Sequence, residues 1–124
     1  MDPRDKVIEI VESFPDAVAL PVASVHLSLE IRGMRFGWFM ENHHGNHRIE
    51  INCKALPGVG EAMVEKNRAV YVIPKMVRNR GWGIGFWLDV PGIDWDEIRD
   101  LLHDAYVIAT PQVKANRGDS STSL

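Results

Sequence analysis

The chain has 124 residues, 45% of them apolar and 25% charged, the usage of a single globular domain, which excludes a disordered or collagen-like chain. Fourteen Lys and Arg against 17 Asp and Glu leave a net charge of −3, without the basic excess that non-specific nucleic-acid binding usually shows. The single cysteine, Cys53, excludes an intrachain disulfide and a multi-thiolate zinc site.

Asp2 followed by Pro3 reads as a helix start, an N-cap with proline at the first helical position. Val7, Ile10, Val11 and Phe14 then recur at helical spacing, predicting a first helix to about Ser13. The same segment carries Asp2, Asp5, Glu9, Glu12 and Asp16 along one ridge opposite the apolar stripe. Such a ridge is ordinarily the solvated side of an amphipathic helix, and oxygen-rich ridges also suit hard cations or a basic partner. The longest apolar stretch, Ala17 to Val25, is interrupted by Pro21 and Ser24 and falls well short of the ~20 residues that cross a bilayer, so no membrane span is expected. The opening Met-Asp-Pro-Arg-Asp lacks a basic region followed by an apolar run, and the expected location is cytoplasmic.

From Val25 the period changes to two: Val25, Leu27, Leu29 and Ile31 alternate with polar residues in a half-buried strand that Gly33 ends. Phe36, Trp38 and Met40 continue the inward set in a second strand, which puts Phe39 on the solvent side. After the turn-rich segment 42–46, Ile49, Ile51 and Cys53 do so in a third. The run His43-His44-Gly45-Asn46-His47 holds imidazoles but no neighbouring cysteine, and its turn residues account for it, so no metal site is assigned. Pro57-Gly58 opens a short helix to about Asn67, Ala69 to Ile73 is a short strand-like run stopped by Pro74, and Gly81 to Val90 is a further strand. In that strand Gly81, Gly83, Gly85 and Trp87 share one face, a smooth track that is either covered by a loop or the C-terminal segment or open as a docking surface. Asp94 with Glu97 three residues on starts a last helix whose stripe is Trp95, Ile98, Leu101 and Leu102. The segment from Pro111 has no apolar period, giving one domain over 1–110 and a flexible tail over 111–124.

Strands that alternate rather than run continuously apolar, interleaved with helices, predict an α+β fold: a two-layer sandwich of an antiparallel sheet with helices packed on one face and the other face open to water. There is no Gly-x-Ser-x-Gly, no Gly-rich loop ending in Lys-Ser/Thr and no His-Glu-x-x-His, so catalysis is not expected. The charge is strongly partitioned: residues 1–31 carry −4, residues 32–80 carry +5 and residues 81–124 carry −4. A basic stripe within an acidic molecule still attracts phosphate backbones through counterion release. Such charges are ordinarily the solubilising side of a wet sheet face; the functional reading beside that one is DNA binding without catalysis or cofactor, by a monomer or homodimer. Arg32, Arg35, Arg48, Lys54, Lys75, Arg78 and Arg80 would meet phosphates, and Phe39 and Trp87 would be candidate stacking rings.

The segments Arg32-Gly33-Met34-Arg35-Phe36, Asn52-Cys53-Lys54, Pro74-Lys75-Met76, Gly81-Trp82-Gly83, Asp94-Trp95-Asp96-Glu97 and Asp104-Ala105-Tyr106-Val107 together resemble the MmcQ/YjbR family of small bacterial proteins. The resemblance covers about residues 5–112 and is nearest the actinobacterial branch. It implies a frataxin-like (CyaY-like) α+β sandwich with a double-wing DNA-binding motif, and it reaches Arg35, Lys54, Lys75 and Trp82 as matching positions, with Arg35 where many members carry Lys. The frataxin likeness lends interest to the acidic ridge of the first helix, and the alternative is an iron or small-ligand binding protein using that ridge or the glycine-lined face. A homodimeric interaction domain is a third reading.

Overall fold

The computed structural model describes residues 2–23, 25–42, 45 and 47–121, the side chains of 112–121 excepted. Four helices, α1 (Pro3–Glu12), α2 (Val59–Lys66), α3 (Lys75–Asn79) and α4 (Trp95–Ser121), are interleaved with six strands. These are β1 (Ala17–Val22), β2 (His26–Ile31), β3 (Met34–Glu41), β4 (Ile49–Cys53), β5 (Tyr71–Val72) and β6 (Ile84–Trp87). The strands form one antiparallel sheet in the order β1-β2-β3-β4-β6-β5. The α+β expectation holds.

Register sorts the side chains. Leu27, Phe39, Ile51, Phe86 and Tyr71 lie in one row across β2, β3, β4, β6 and β5. They join Val7, Ile10, Val11 and Phe14 of the α1 segment and Ile98, Leu101, Leu102, Ala105 and Tyr106 of α4 in one buried cluster. The caps read from the sequence are formed: Asp2 Oδ1 accepts from the Asp5 N–H (2.9 Å), and Asp94 Oδ1 accepts from the Asp96 and Glu97 N–H groups (3.0 and 3.3 Å). Glu97 does not complete a capping box by reaching back. Its carboxylate instead takes the Tyr71 hydroxyl and the Lys66 ammonium, tying β5 and α2 to the first turn of α4. These two hydrogen bonds, to Lys66 and then Tyr71, hold the Glu97 carboxyl below the usual range.

Three features depart from expectation. Ala17–Val22 is an edge strand, legible in the sequence only as an apolar run. Pro21 marks it as an edge, because a residue without an N–H is tolerated where that position faces away from the neighbouring strand. Of the edge-side backbone positions in step with Pro21, Ala17 gives its N–H to Phe14 O and Pro21 has none, which blunts the edge as a template for a further strand. Second, β3 carries a bulge: Leu29 pairs with Gly37 but Glu30 with Arg35, leaving Phe36 as the extra residue. The bulge reverses the alternation after it, so Phe39 is fully buried in the core and is not a solvent-side stacking ring. Third, α4 continues through Pro111 to Ser121, so the segment without an apolar period is helical over 111–121. The Thr110 hydroxyl donates to Tyr106 O one turn back, and Pro111, lacking an N–H, adds no i−4 bond. Residues 122–124 lie outside the described residues. Among the described residues no helix is long and apolar enough to cross a membrane.

Candidate nucleic-acid interface

The face of the sheet opposite the α1–α4 cluster presents Leu20, Ser28, Trp38, Asn52, Gly85 and Val72 in one row. It is not simply wet. Ser28, Asn52 and Met40 on it are at most 1% exposed. Long side chains cover them. Arg35 Nε donates to Ser28 Oγ (2.7 Å), its guanidinium carbon stands 4.5 Å from the Trp38 ring centroid, and Ser28 Oγ donates onward to Glu30 Oε2. Such guanidinium–indole stacks are worth about 0.5–1 kcal/mol at exposed sites and more when water is excluded. Asn52, with its amide oriented to satisfy its neighbours, donates to Glu50 Oε2 (2.8 Å). Burial outweighs the nearby Arg48 charge and pushes the Glu50 carboxyl up from its ordinary range.

The glycine track does not form a docking surface, because its space is already filled. A Cβ on Gly85 would lie 2.6 Å from the Asn52 side-chain amide and 3.0 Å from Pro74 Cδ, and one on Gly83 would lie 2.6 Å from the Ala55 Cβ. Gly81 stands outside this packing, in a turn at φ +71°. Trp87 is half-buried beneath the Arg48 guanidinium, 4.0 Å from its ring centroid, and Arg48 Nε also bonds Asp89 Oδ2 at 2.9 Å. Its ring is already stacked.

The antiparallel register gathers most of the expected cations. The end of β2, the start of β3, the end of β4, the end of β5 and the start of β6 all fall at one end of the sheet. Arg32 sits in the β2–β3 turn, Arg35 opens β3, and Lys54 follows β4 with its N–H bonded to Phe36 O. Lys75, Arg78 and Arg80 lie on and just after α3, which fills the connection from β5 to β6. Six of the seven expected cations therefore share one end. Arg48 does not: it precedes β4 at the opposite end, roughly 20 Å from Lys54 along a strand rising ~3.3 Å per residue.

Local packing differentiates the six. Lys75, Arg78 and Arg80 are exposed, with Arg80 5.4 Å from the Trp82 ring centroid. Partial burial lowers the Lys54 ammonium from its ordinary pKa. Arg32 is exposed but gives both Nε and Nη2 to Asp16 Oδ2. Between α3 and the start of α2 lies a cleft of about 360 Å³ lined by Arg78, Trp82, Gly60, Glu61, Gly81 and Gly83. The Arg80–Trp82 and Arg35–Trp38 stacks are not legible in the sequence; for the second, a glycine within an aromatic strand run, Phe36-Gly37-Trp38-Phe39, is the available sign of a bulge.

The metal alternatives gain no geometry. Among the described residues no group of three His, Cys, Asp or Glu side chains is placed to hold a metal ion. Asp2 of the acidic ridge caps α1 and Asp16 pairs with Arg32. Of the histidine turn, His43, His44 and Asn46 lie outside the described residues, and His47 gives its N–H to Asn42 Oδ1. Cys53 is fully buried, its thiol pushed up to about 12 by burial and by the Asp104 charge, which leaves it unreactive as a nucleophile. Compared with family models, with curated proteins and with solved structures, the chain finds no match, so the MmcQ/YjbR resemblance rests on the quoted segments alone.

Proposed function

We propose that the chain is a non-catalytic nucleic-acid-binding module of the MmcQ/YjbR type that grips the phosphate backbone with Arg35, Lys54, Lys75, Arg78 and Arg80. The observation that carries this reading is the collection of these five cations at one end of the sheet in a molecule of net charge −3. A local field of this kind concentrates phosphates where the net charge would repel them. Exposed Asp5, Glu9 and Glu12 on α1 and exposed Asp96 and Asp100 on α4 keep the helices unattractive to the same ligand. Contacts of this composition reach phosphate and sugar rather than base edges, so they position a duplex without reading its sequence.

Titration of a short DNA duplex at several salt concentrations tests the proposal. Five phosphate contacts predict that log K falls with log[salt] with a slope of about −4.5. The combined variant Lys75→Glu, Arg78→Glu, Arg80→Glu abolishes binding, and Arg48→Gln leaves it unchanged. Absence of duplex binding at low salt overturns the proposal.

A further inference from the structure

The sixth cation at the basic end is the one that the protein itself occupies. Asp16 immediately precedes β1 and Arg32 immediately follows β2, so the two flank the last rung of that ladder, Ala17 opposite Ile31. Both sit in the left-handed region, at φ 63° and 48°. Asp16 Oδ2 accepts from Arg32 Nε (3.1 Å) and from Nη2 (2.5 Å). The Nε and Nη2 edge is the pair of parallel donors with which arginine also grips a phosphate, so the carboxylate stands where a backbone phosphate would. The pair is nonetheless open to water, its side chains 45% and 54% exposed.

We propose that Asp16 is an autoinhibitory contact, a built-in phosphate mimic that withholds Arg32 from the nucleic-acid footprint. This rests on the reading of the basic end as a phosphate surface. Removing the Asp16 charge releases a sixth cation beside the other five.

The test is a double-mutant cycle read by duplex affinity and salt slope. Asp16→Asn is the informative change, because asparagine adopts the left-handed backbone readily and keeps the turn intact, which a melting curve verifies. Expected for Asp16→Asn is a several-fold gain in affinity and a slope steeper by about 0.9, the signature of one more phosphate contact. Adding Arg32→Gln to Asp16→Asn returns slope and affinity to those of the parent, whereas Arg32→Gln alone changes little. Asp89→Asn, which removes the carboxylate that Arg48 Nε bonds at the far end, changes neither. A parent that binds duplex with no change on Asp16→Asn overturns this proposal and leaves the footprint standing. A gain that persists in Asp16→Asn with Arg32→Gln also overturns it, as a general charge effect. If neither the parent nor Asp16→Asn binds at low salt, the footprint itself falls and this inference with it.

Discussion

At the scale of the residue, the face away from the helical core is decided by a few polar groups that pair with one another. Arg35 reaches Ser28, Ser28 reaches Glu30, and Asn52 reaches Glu50, so the described residues contain no buried polar side-chain atom without a partner. Glu50 is charged against its surroundings, since burial raises its carboxyl above the ordinary value while the Arg48 charge only partly offsets that. A carboxyl raised in the folded state binds protons that the unfolded chain does not. It therefore lowers stability as pH rises from the usual carboxylate range through its folded pKa, and the penalty is constant above it. Glu50→Gln, which keeps an acceptor for Asn52 without the charge, is expected to raise the melting temperature at pH 7. The gain shrinks towards zero as the pH falls below the carboxylate range. An equal gain at both ends of a pH series, or a loss at pH 7, shows that the side chain is held by something other than its burial. Glu97 runs the other way: its carboxyl is lowered, first by Lys66 and then by Tyr71, so its contribution is present above the unfolded value and lost as acid protonates it.

At the scale of the element, close approach of backbones matters more than hydrophobic content. α2 sits so near β6 that a Cβ on Gly60 would lie 2.0 Å from the Gly83 carbonyl oxygen. The obstacle is backbone and cannot swing aside. Gly60→Ala gains up to about 1 kcal/mol of helix propensity, but overpacking of this kind costs about 1–3 kcal/mol or more. The expected net loss is about 1–2 kcal/mol in a denaturant titration, and a stabilised variant contradicts this packing. The sequence reading foresaw a helix here but not the reason for its glycine. The same holds across the chain. α1 and α4 were legible from caps and stripe because their signals are local, in Asp2-Pro3 and Asp94 to Glu97. β1 was not, because Pro21 reads as a breaker until the neighbouring strand shows which way its missing N–H points. Phe39 was misplaced because strand parity survives only until a bulge, and one extra residue at Phe36 moves every later side chain to the other face. Seven cations were visible in the sequence; that six share an end depends on register, and that Arg32 and Arg48 hold carboxylates depends on contacts between residues 16 and 41 positions apart.

At the scale of the whole molecule, the aromatic rings around the basic end bear on which form of nucleic acid the proposed phosphate surface would suit. Binding of single strands draws about 1–3 kcal/mol per base from stacking on free aromatic faces. Here Phe39 is in the core, Trp38 lies under Arg35, Trp87 lies under Arg48, and Trp82 faces Arg80. The rings are engaged by the protein's own guanidinium groups, so phosphates are the main attraction the surface offers. Duplex DNA presents one charge per about 1.7 Å of axis, and its salt slope per contact is steeper than that of a single strand, about 0.9 against 0.7. A duplex is therefore expected to bind more tightly than a single strand of the same length and sequence at low salt, with little change when that sequence is scrambled. Competition between labelled duplex and unlabelled single strand measures the ordering. Tighter binding of the single strand would mean that a ring leaves its guanidinium to stack on bases. In that case Trp82→Ala, at the mouth of the cleft beside Arg78, loses the single-strand preference while the duplex affinity stays where it was.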